Sequence, residues 1–389
     1  MCEPVTAHPA LLPQAGVTLG VMGGGQLGRM FVHAAQAMGY STAVLDPDPQ
    51  SPAGLVSHHH VVTAYDDPAG LAELASLCAA VTTEFENVPA PALRTLAAHC
   101  VVSPPAEAVA VAQDRAQEKA HFVRCGAPCA PHALIETTAQ LDAVADALLP
   151  GILKTARMGY DGKGQIRVTD RAALARAWDA LHKVPCVLEK MLPLAAECSV
   201  LVARGADGAM VHFPVQRNLH RDGILAVTEV YAGNVPAPLA AQAVAAAESI
   251  ARGLDYVGLL CVEFFVLQDG SLVVNEIAPR PHNSGHYTMD ACDQSQFTLQ
   301  VRTLAGLPLT PPHQHSAAVM LNLLGDIWAD GMPDWAGVLA LPGTHLHLYG
   351  KAQARAGRKM GHLTVTAASV EQARAVALQA AQLLGIAAF

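Results

Sequence analysis

Two carboxylates define the chemistry open to this chain. In residues 261–286, CVEFFVLQDGSLVVNEIAPRPHNSGH, the dipeptide Asp269-Gly270 separates two apolar runs, a strong signal for a two-residue hairpin loop. With those two residues as the loop, Gln268 pairs with Ser271, and counting outward sets Glu263 across from Glu276. Like charges on facing positions repel. Acids placed this way inside apolar strands need a partner, and the simplest is a hard divalent cation, Mg²⁺, held by oxygens and shared with phosphates. A register shifted by one would split the pair between the two faces. Directly behind, Arg280, His282, Asn283, Ser284 and His286 crowd a stretch whose two prolines exclude regular structure, which suits substrate contact beside a metal site.

Phosphate-handling residues lie upstream. GILKTARMGYDGKGQIRV reads as a short strand ending at Lys154, a loop with Gly159, Gly162 and Gly164, and a return strand. Such glycines let backbone N–H groups approach phosphate oxygens, while Lys154 and Lys163 supply charge. An ordinary flexible loop would leave Tyr160 and Asp161 arbitrary. Further on, a strand runs into Glu189-Lys190-Met191-Leu192, whose end could offer backbone groups to an adenine edge. Glu197, opening the next strand, could accept from ribose hydroxyls. Near the C-terminus, Lys351, Arg355, Arg358 and Lys359 fall between two strand-like segments. Four cations so close together make a local anion pocket, with an exposed basic turn as the alternative.

The elements that must position these groups follow from periodicity. Residues 1–16 contain three prolines and no pattern, and read as a loose tail. Val17 to Met22 reads as a buried strand, Gly23 to Gly25 as a turn, and Leu27, Met30, Phe31, Ala34, Ala35 and Met38 as one helical face. The strand STAVLD, a helix over 68–78 and the strand AAVTTEFENV continue the alternation, which predicts a doubly wound α/β domain. Gly23, Gly25 and Gly28 satisfy G-x-G-x-x-G with Asp46 downstream, so a nicotinamide dehydrogenase is a reading to test. The motif itself implies only close approach of an anion to a helix start, a substrate phosphate as readily as a pyrophosphate. No Ser-His-Asp or Cys-His arrangement supplies a nucleophile.

A chain of 389 residues, 52% hydrophobic, suggests two or three domains with full cores. The net charge of -9 argues against general nucleic-acid or anionic-membrane binding. No apolar run is long enough to span a bilayer. Nine scattered cysteines, behind first residues without signal-peptide order, predict reduced thiols in a cytoplasmic protein. Cys125 and Cys129 lack a second Cys/His cluster for zinc, and His58 to His60 reads as the start of a surface strand.

The ordered set GGGQLGRM, TTEFENV, QDRAQEK, LKTARMGYDGKGQ, EKMLPLAAE, NLHRDGIL, VEFF with VVNEIAPRPHNSGH, and YGKAQARAGRKMGH resembles the ATP-grasp ligases. Within them it resembles the branch that carboxylates the exocyclic amine of 5-aminoimidazole ribonucleotide, using ATP and bicarbonate through carboxyphosphate, in purine biosynthesis. The resemblance covers nearly everything from Val17 onward. It implies three domains: an N-terminal α/β domain over 17–112, a central ATP-grasp domain over 113–304 and a small C-terminal domain over 305–389. It implies that Arg115, Lys154, Gly159, Tyr160, Asp161, Gly162, Lys163, Gly164, Gln165, Glu189 to Leu192 (through Lys190 and Met191), Glu197 and His220 hold ATP. Glu263 and Glu276 would hold Mg²⁺ with Asn275 beside them. Lys351 and Arg358 would meet the ribonucleotide phosphate with Lys359 near, and Gln26, Leu27, Glu86, His282, Asn283 and Ser284 would complete that pocket. Tyr160, Asp161, Lys163 and Arg280 would serve the chemistry. Family members are commonly homodimers. Ala156 and Met158 depart from the more basic or glycine-rich residues associated with the loop's opening. A formate-dependent glycinamide ribonucleotide transformylase, also an ATP-grasp enzyme, is the nearest rival.

Overall fold

The computed structural model describes residues 9–14, 16–159 and 164–389. Strands β1 (Thr18–Met22), β2 (Ser41–Leu45), β3 (His59–Val61), β4 (Ala80–Thr83) and β5 (Val101–Val102) form a parallel sheet in the order β3-β2-β1-β4-β5. Both faces are apolar. Leu19, Val21 and Val44 pack with Leu27, Met30 and Phe31 of the helix Gln26–Ala37. Met22, Leu45 and Val81 meet Leu71, Leu74, Leu93 and Leu96 on the other side. The strand order reverses between β1 and β4, which opens a crevice at their C-terminal ends. The strand expected over AAVTTEFENV stops at Thr83, so Glu84 and Glu86 leave the ladder and turn at that crevice. Within the segment expected to be loose, Leu11 is anchored: its N–H donates to Ala305 O at 2.8 Å, and its carbonyl accepts from the Tyr40 hydroxyl at 2.6 Å.

A second, antiparallel sheet holds β6 (His132–Ile135), β7 (Gly151–Thr155), β8 (Gln165–Val168) and β9 (Cys186–Lys190) in the order β6-β9-β7-β8. The helix Arg171–Ala180 closes one face through Leu174 and Trp178 against Leu153 and Leu188. The third sheet has nine strands: β10 (Leu194–Arg204), β11 (Met210–His212), β12 (Gln216–Arg221), β13 (Ile224–Val230), β14 (Gly258–Leu267), β15 (Leu272–Ala278), β16 (Ala317–Leu324), β17 (Thr344–Leu348) and β18 (Lys359–Ala367). Their order is β15-β14-β10-β12-β13-β16-β18-β17, with β11 on β10. The C-terminal strands therefore extend the sheet that carries the two acids, through pairs such as Val227 with Leu321. Asp222 and Gly223 form the two-residue turn between β12 and β13, at φ 51° and 78°, as a primed turn requires. Ser369 accepts from Gln372 N–H at 3.3 Å to cap the last helix, Val370–Leu383, while both halves of a capping box occur at Thr137 and Gln140. All eight described cysteines are free.

Candidate active site

The acids do face each other, through two departures that cancel. Leu267 N–H donates to Ser271 O at 2.8 Å and Gly270 has φ 81°, so the loop has three residues where two were expected. Pairs Val266 with Leu272 and Phe264 with Val274 follow. That register, continued, would set Glu263 against Asn275. A bulge at this point inserts one residue and brings Glu263 opposite Glu276. Bulges re-aim side chains in this way beside active sites. The bulge is held from below: Lys119 Nζ donates to Asn275 O at 2.7 Å, and Val274 N–H donates to Pro128 O at 2.7 Å.

Each carboxylate also has a cationic or ring partner within the chain. Arg115 Nη1 donates to Glu276 Oε2 at 3.0 Å, and His282 Nε2 lies 3.1 Å from Glu263 Oε1. His220 Nε2 stands 3.9 Å from Glu263, and its Nδ1 is hydrogen-bonded to Glu197. Burial alone would raise the Glu263 carboxyl, but His282, His220 and Arg280 outweigh it and hold the group at about 2. Burial would lower His220, whereas Glu197 and Glu263 keep its pKa above the usual range. Between the acids, the buried Asn275 Oδ1 has no hydrogen-bond partner among the described residues. Two facing carboxylates and an unpartnered amide oxygen form an oxygen-only donor set, and this fits Mg²⁺.

Beneath them lies a charged floor supplied by the helix Arg115–Arg124, whose N-terminus Asp114 caps by accepting from Ala116 and Gln117. Its inward stripe is Arg115, Glu118, Lys119 and Phe122, all buried. Glu118 accepts from Ile277 N–H at 2.8 Å, and burial pushes its carboxyl up to about 7. Glu189 bridges Lys119 at 3.4 Å and Lys154 at 3.1 Å. Burial would raise Glu189, yet the two lysines pull it below the usual carboxylate range, while burial lowers Lys154 against the pull of Glu189. Sequence reasoning did not place Glu118 and Lys119 in the site. The signal was present: three charges at i, i+3 and i+4 occupy the stripe that an amphipathic helix keeps apolar.

These groups surround one cavity of about 440 Å³. Arg115, Lys154, Gly159, Gln165, Glu189 to Leu192, Glu197 and His220 line it from β7 to β9 and the edge of the large sheet; Glu86, Arg280, His282, Asn283 and Lys359 line it from the side of the parallel sheet. The strand end 189–192 is less open to a base than expected, because Lys190 and Met191 N–H donate to Pro131 and Pro150 carbonyls and the Glu189 side chain is ion-paired. Several expected contacts sit elsewhere. Ser284 is fully buried and hydrogen-bonded to Ser199 at 2.9 Å, and Leu27 is a core side chain under the first sheet. Gln26, at the start of its helix, is outside the lining. Gly164, at φ 71°, packs its backbone against Thr155, behind the lining. Of the four C-terminal cations only Lys359 lines the cavity. Lys351 Nζ donates to Lys359 O at 2.7 Å, Arg358 donates to Gln353 O at 2.8 Å, and Arg355 is exposed. Tyr160, Asp161, Gly162 and Lys163 lie outside the described residues.

The first glycine loop has its own anion. Glu84 accepts from Gly25 N–H at 2.8 Å and Gly28 N–H at 3.0 Å, and Asp46 accepts from Gly24 N–H and the Tyr65 hydroxyl, both at 2.6 Å. The place a pyrophosphate takes in a dinucleotide-binding loop is filled by a carboxylate of the chain. Gln300 closes the neighbouring strand end by donating to Thr82 at 3.2 Å. This overturns the dehydrogenase reading.

Glu86 and Arg280 join the parallel sheet to the cavity through a 2.5 Å ion pair. Burial works to raise Glu86, and Arg280 overrides it, holding the carboxyl at about 2 against an ordinary 4.5. A depressed folded pKa contributes stability that is complete above the unfolded value and lost as pH falls through the folded one. Acid titration of wild type is therefore expected to lose up to about 3 kcal/mol between about pH 4.5 and 2 through this pair, reduced by screening at the 29% exposed carboxylate. Glu86→Gln should flatten that limb of the denaturation curve; an unchanged limb would refute the coupling.

Comparison with known proteins agrees with this geometry. Family models match the ribonucleotide synthetase preATP-grasp domain over residues 17–113, the ATP-grasp domain over 120–297 and the phosphoribosylaminoimidazole carboxylase C-terminal domain over 318–376. The N5-carboxyaminoimidazole ribonucleotide synthase of Brucella melitensis is 46% identical over 352 residues, covering 90% of this chain and 96% of the relative. That of Bacillus subtilis is 39% identical, covering 90% and 91%. Among solved structures, an ADP complex of an N5-carboxyaminoimidazole ribonucleotide synthetase aligns with TM-score 0.87 at 40% identity, covering 97% of each chain. The Aspergillus clavatus enzyme with ADP and 5-aminoimidazole ribonucleotide aligns with TM-score 0.86 at 32% identity, covering 95% of this chain and 99% of that one.

Proposed function

The chain belongs to the N5-carboxyaminoimidazole ribonucleotide synthase family, and from that premise we propose how its cavity works. It is an ATP-dependent carbon–nitrogen ligase that carboxylates the exocyclic amine of 5-aminoimidazole ribonucleotide. The observation that carries the reading is one cavity with two chemistries: facing acids over a buried lysine pair at one end, and Arg280, His282, Asn283 and Lys359 at the other.

Lys154 and Arg115 hold the ATP phosphates, and the base lies along Lys190 to Leu192. Glu263, Glu276 and Asn275 would hold Mg²⁺, which when bound supplies charge neutralisation and orientation of the γ-phosphoryl group. Bicarbonate attacks that group to give carboxyphosphate and ADP. This mixed anhydride is lost to water, so we assign the exclusion of solvent to the glycine-rich segment 156–165, with Tyr160, Asp161 and Lys163 near bicarbonate and the acceptor amine. The amine, positioned through the ribonucleotide phosphate, captures the carboxyl unit, and phosphate leaves. Arg280, steadied by Glu86, faces the anionic intermediate. Lys359 is the phosphate contact within the cavity, and Lys351 supports it by donating to its carbonyl. We place the enzyme in the cytoplasm, as its scattered cysteines suggest, and as a homodimer, as the resemblance implies; light scattering at working concentration reads the mass, and a single-chain mass would remove the dimer.

Steady-state ADP formation tests the reading. It should require ATP, bicarbonate and aminoimidazole ribonucleotide together; formate dependence with glycinamide ribonucleotide would install the transformylase instead. Lys359→Ala should raise the KM for the ribonucleotide about 10- to 100-fold, the value of a charge-assisted hydrogen bond, and leave the KM for ATP within about 2-fold. Equal effects on both substrates would remove Lys359 from the phosphate.

A further inference from the structure

A second constellation of metal-ligating side chains lies outside the cavity, where β17 and β18 meet the short helix Thr288–Ala291. His347 and His362 are cross-strand partners with rings stacked at 4.5 Å and 16°. Asp290 receives His347 Nε2 at 2.9 and 3.1 Å on its two oxygens, and His345 Nδ1 stands 3.7 Å away. One donor atom from each of Asp290, His347 and His362 falls within 4.8 Å of the others. His362 is fully buried, with Nδ1 3.0 Å from the Tyr349 hydroxyl. Its Nε2 has no hydrogen-bond partner among the described residues. A buried ring nitrogen without a partner is costly, and a bound cation removes that cost. Burial also keeps this imidazole neutral, its pKa held well below the ordinary value, which is the protonation state a ligand needs. None of the three lines the ATP cavity.

We propose that Asp290, His347 and His362 bind one divalent transition-metal ion, Zn²⁺ by the chemistry of the donors, with His345 or a water as fourth ligand. Two imidazoles and one carboxylate suit a borderline ion, whereas Mg²⁺ prefers oxygens alone. Zn–N and Zn–O bonds of about 2.0–2.2 Å place neighbouring donors about 3–3.4 Å apart in a tetrahedron, so the Asp290–His347 contact opens by a few tenths of an ångström, while the His362 ring, stacked on His347 with its donor within 4.8 Å of the other two, must turn out of the stack to close on the ion. On binding, the metal takes the place of the Nε2–H that His347 offers Asp290, and the ring keeps its one proton on Nδ1. The Tyr349 hydroxyl orients His362 from the second ring nitrogen, the usual arrangement around a ligating histidine. The ion would fasten the segment that follows Arg280 and His282 to the strand that begins at Lys359.

The test uses the full chain, stripped with a chelator, in a Glu263→Gln/Glu276→Gln background so that the cavity acids do not contribute. Zn²⁺ is titrated against a chromophoric chelator, and Co²⁺ is followed by visible absorption. One tight equivalent with tetrahedral nitrogen–oxygen Co²⁺ bands is expected. His347→Ala and Asp290→Asn should weaken it more than about 100-fold, and Tyr349→Phe about 10- to 100-fold, with circular dichroism unchanged. No stoichiometric Zn²⁺ in that background would overturn the proposal. So would affinity indifferent to His347→Ala and Asp290→Asn, because binding would then lie elsewhere, as at His58 to His60.

Discussion

Glu276→Gln is expected to lower kcat for ATP-dependent carboxylation by about 10²–10³-fold, the usual cost of removing one preorganised charge from a phosphoryl-transfer site. The substitution is nearly isosteric and retains an oxygen, so packing survives, but Mg²⁺ loses an anionic ligand and Arg115 loses its 3.0 Å partner. Arg115 then swings toward whatever anion is present, so ADP affinity should fall far less than turnover. Glu263→Gln should behave similarly, with a second signature: His220, whose pKa Glu197 and Glu263 hold above the usual range, no longer faces a carboxylate at 3.9 Å and should titrate at lower pH by NMR. Rescue of Glu276→Gln by raised Mg²⁺ is expected to be partial. If either variant turned over at a wild-type rate, the paired acids would not be the metal ligands, and the mechanism above would fail.

The second large effect is on stability. Glu189→Leu removes the anion that bridges Lys119 and Lys154, whose side chains are 0% and 7% exposed. Breaking a buried pair from one side leaves uncompensated charge and costs about 3–5 kcal/mol. Lys154 already has a lowered pKa from burial, with Glu189 opposing that pull; without Glu189 the folded state sheds a proton more readily than the unfolded chain. Stability rises with pH wherever the unfolded state binds more protons. The deficit of Glu189→Leu should therefore shrink as pH is raised toward the lysine range, a trend that simple loss of packing does not give. Urea denaturation at several pH values reads it, and a pH-independent deficit would mean that the charge is not the cause.

Much of the architecture could be read from periodicity. The parallel domain, the turn at Asp222-Gly223 and the two C-terminal strands follow from local pattern, because apolar alternation and left-handed turn residues act within a few positions. The facing acids were legible for an incomplete reason. Asp269-Gly270 indicated a two-residue loop, yet the three-residue loop and the bulge at Asn275 offset each other. The bulge depends on Lys119, 156 positions away, and no local pattern encodes that contact. The same holds for Glu84, whose capture by Gly25 and Gly28 turns a nucleotide fingerprint into a closed structural joint. Lys351 and Arg358, expected at the phosphate from their charge and from the resemblance, donate to carbonyls of their own loop in this structure, contacts that the sequence does not show. Ser284 looked polar and available, but its partner Ser199 lies 85 positions upstream on β10, beneath the turn 283–285.

The continuous ladder from β15 to β17 has a mechanical corollary. Glu263, Glu276 and the cationic loop ending at Lys359 are fixtures of a single frame, so their spacing cannot adjust greatly without shearing strands against one another. The four-stranded lobe is tied differently: the proline-rich straps 128–131 and 191–193 lead into and out of it, pinned at Val274 and Gln268 by one backbone hydrogen bond each, to Pro128 and Pro193, and Lys119 links its Glu189 to Asn275 of the frame. Any opening of the cavity is therefore expected to swing the lobe that carries Lys154, like a jaw on two leaves of a hinge over an anvil that keeps its shape, and to part Glu189 from Lys119 as it does so.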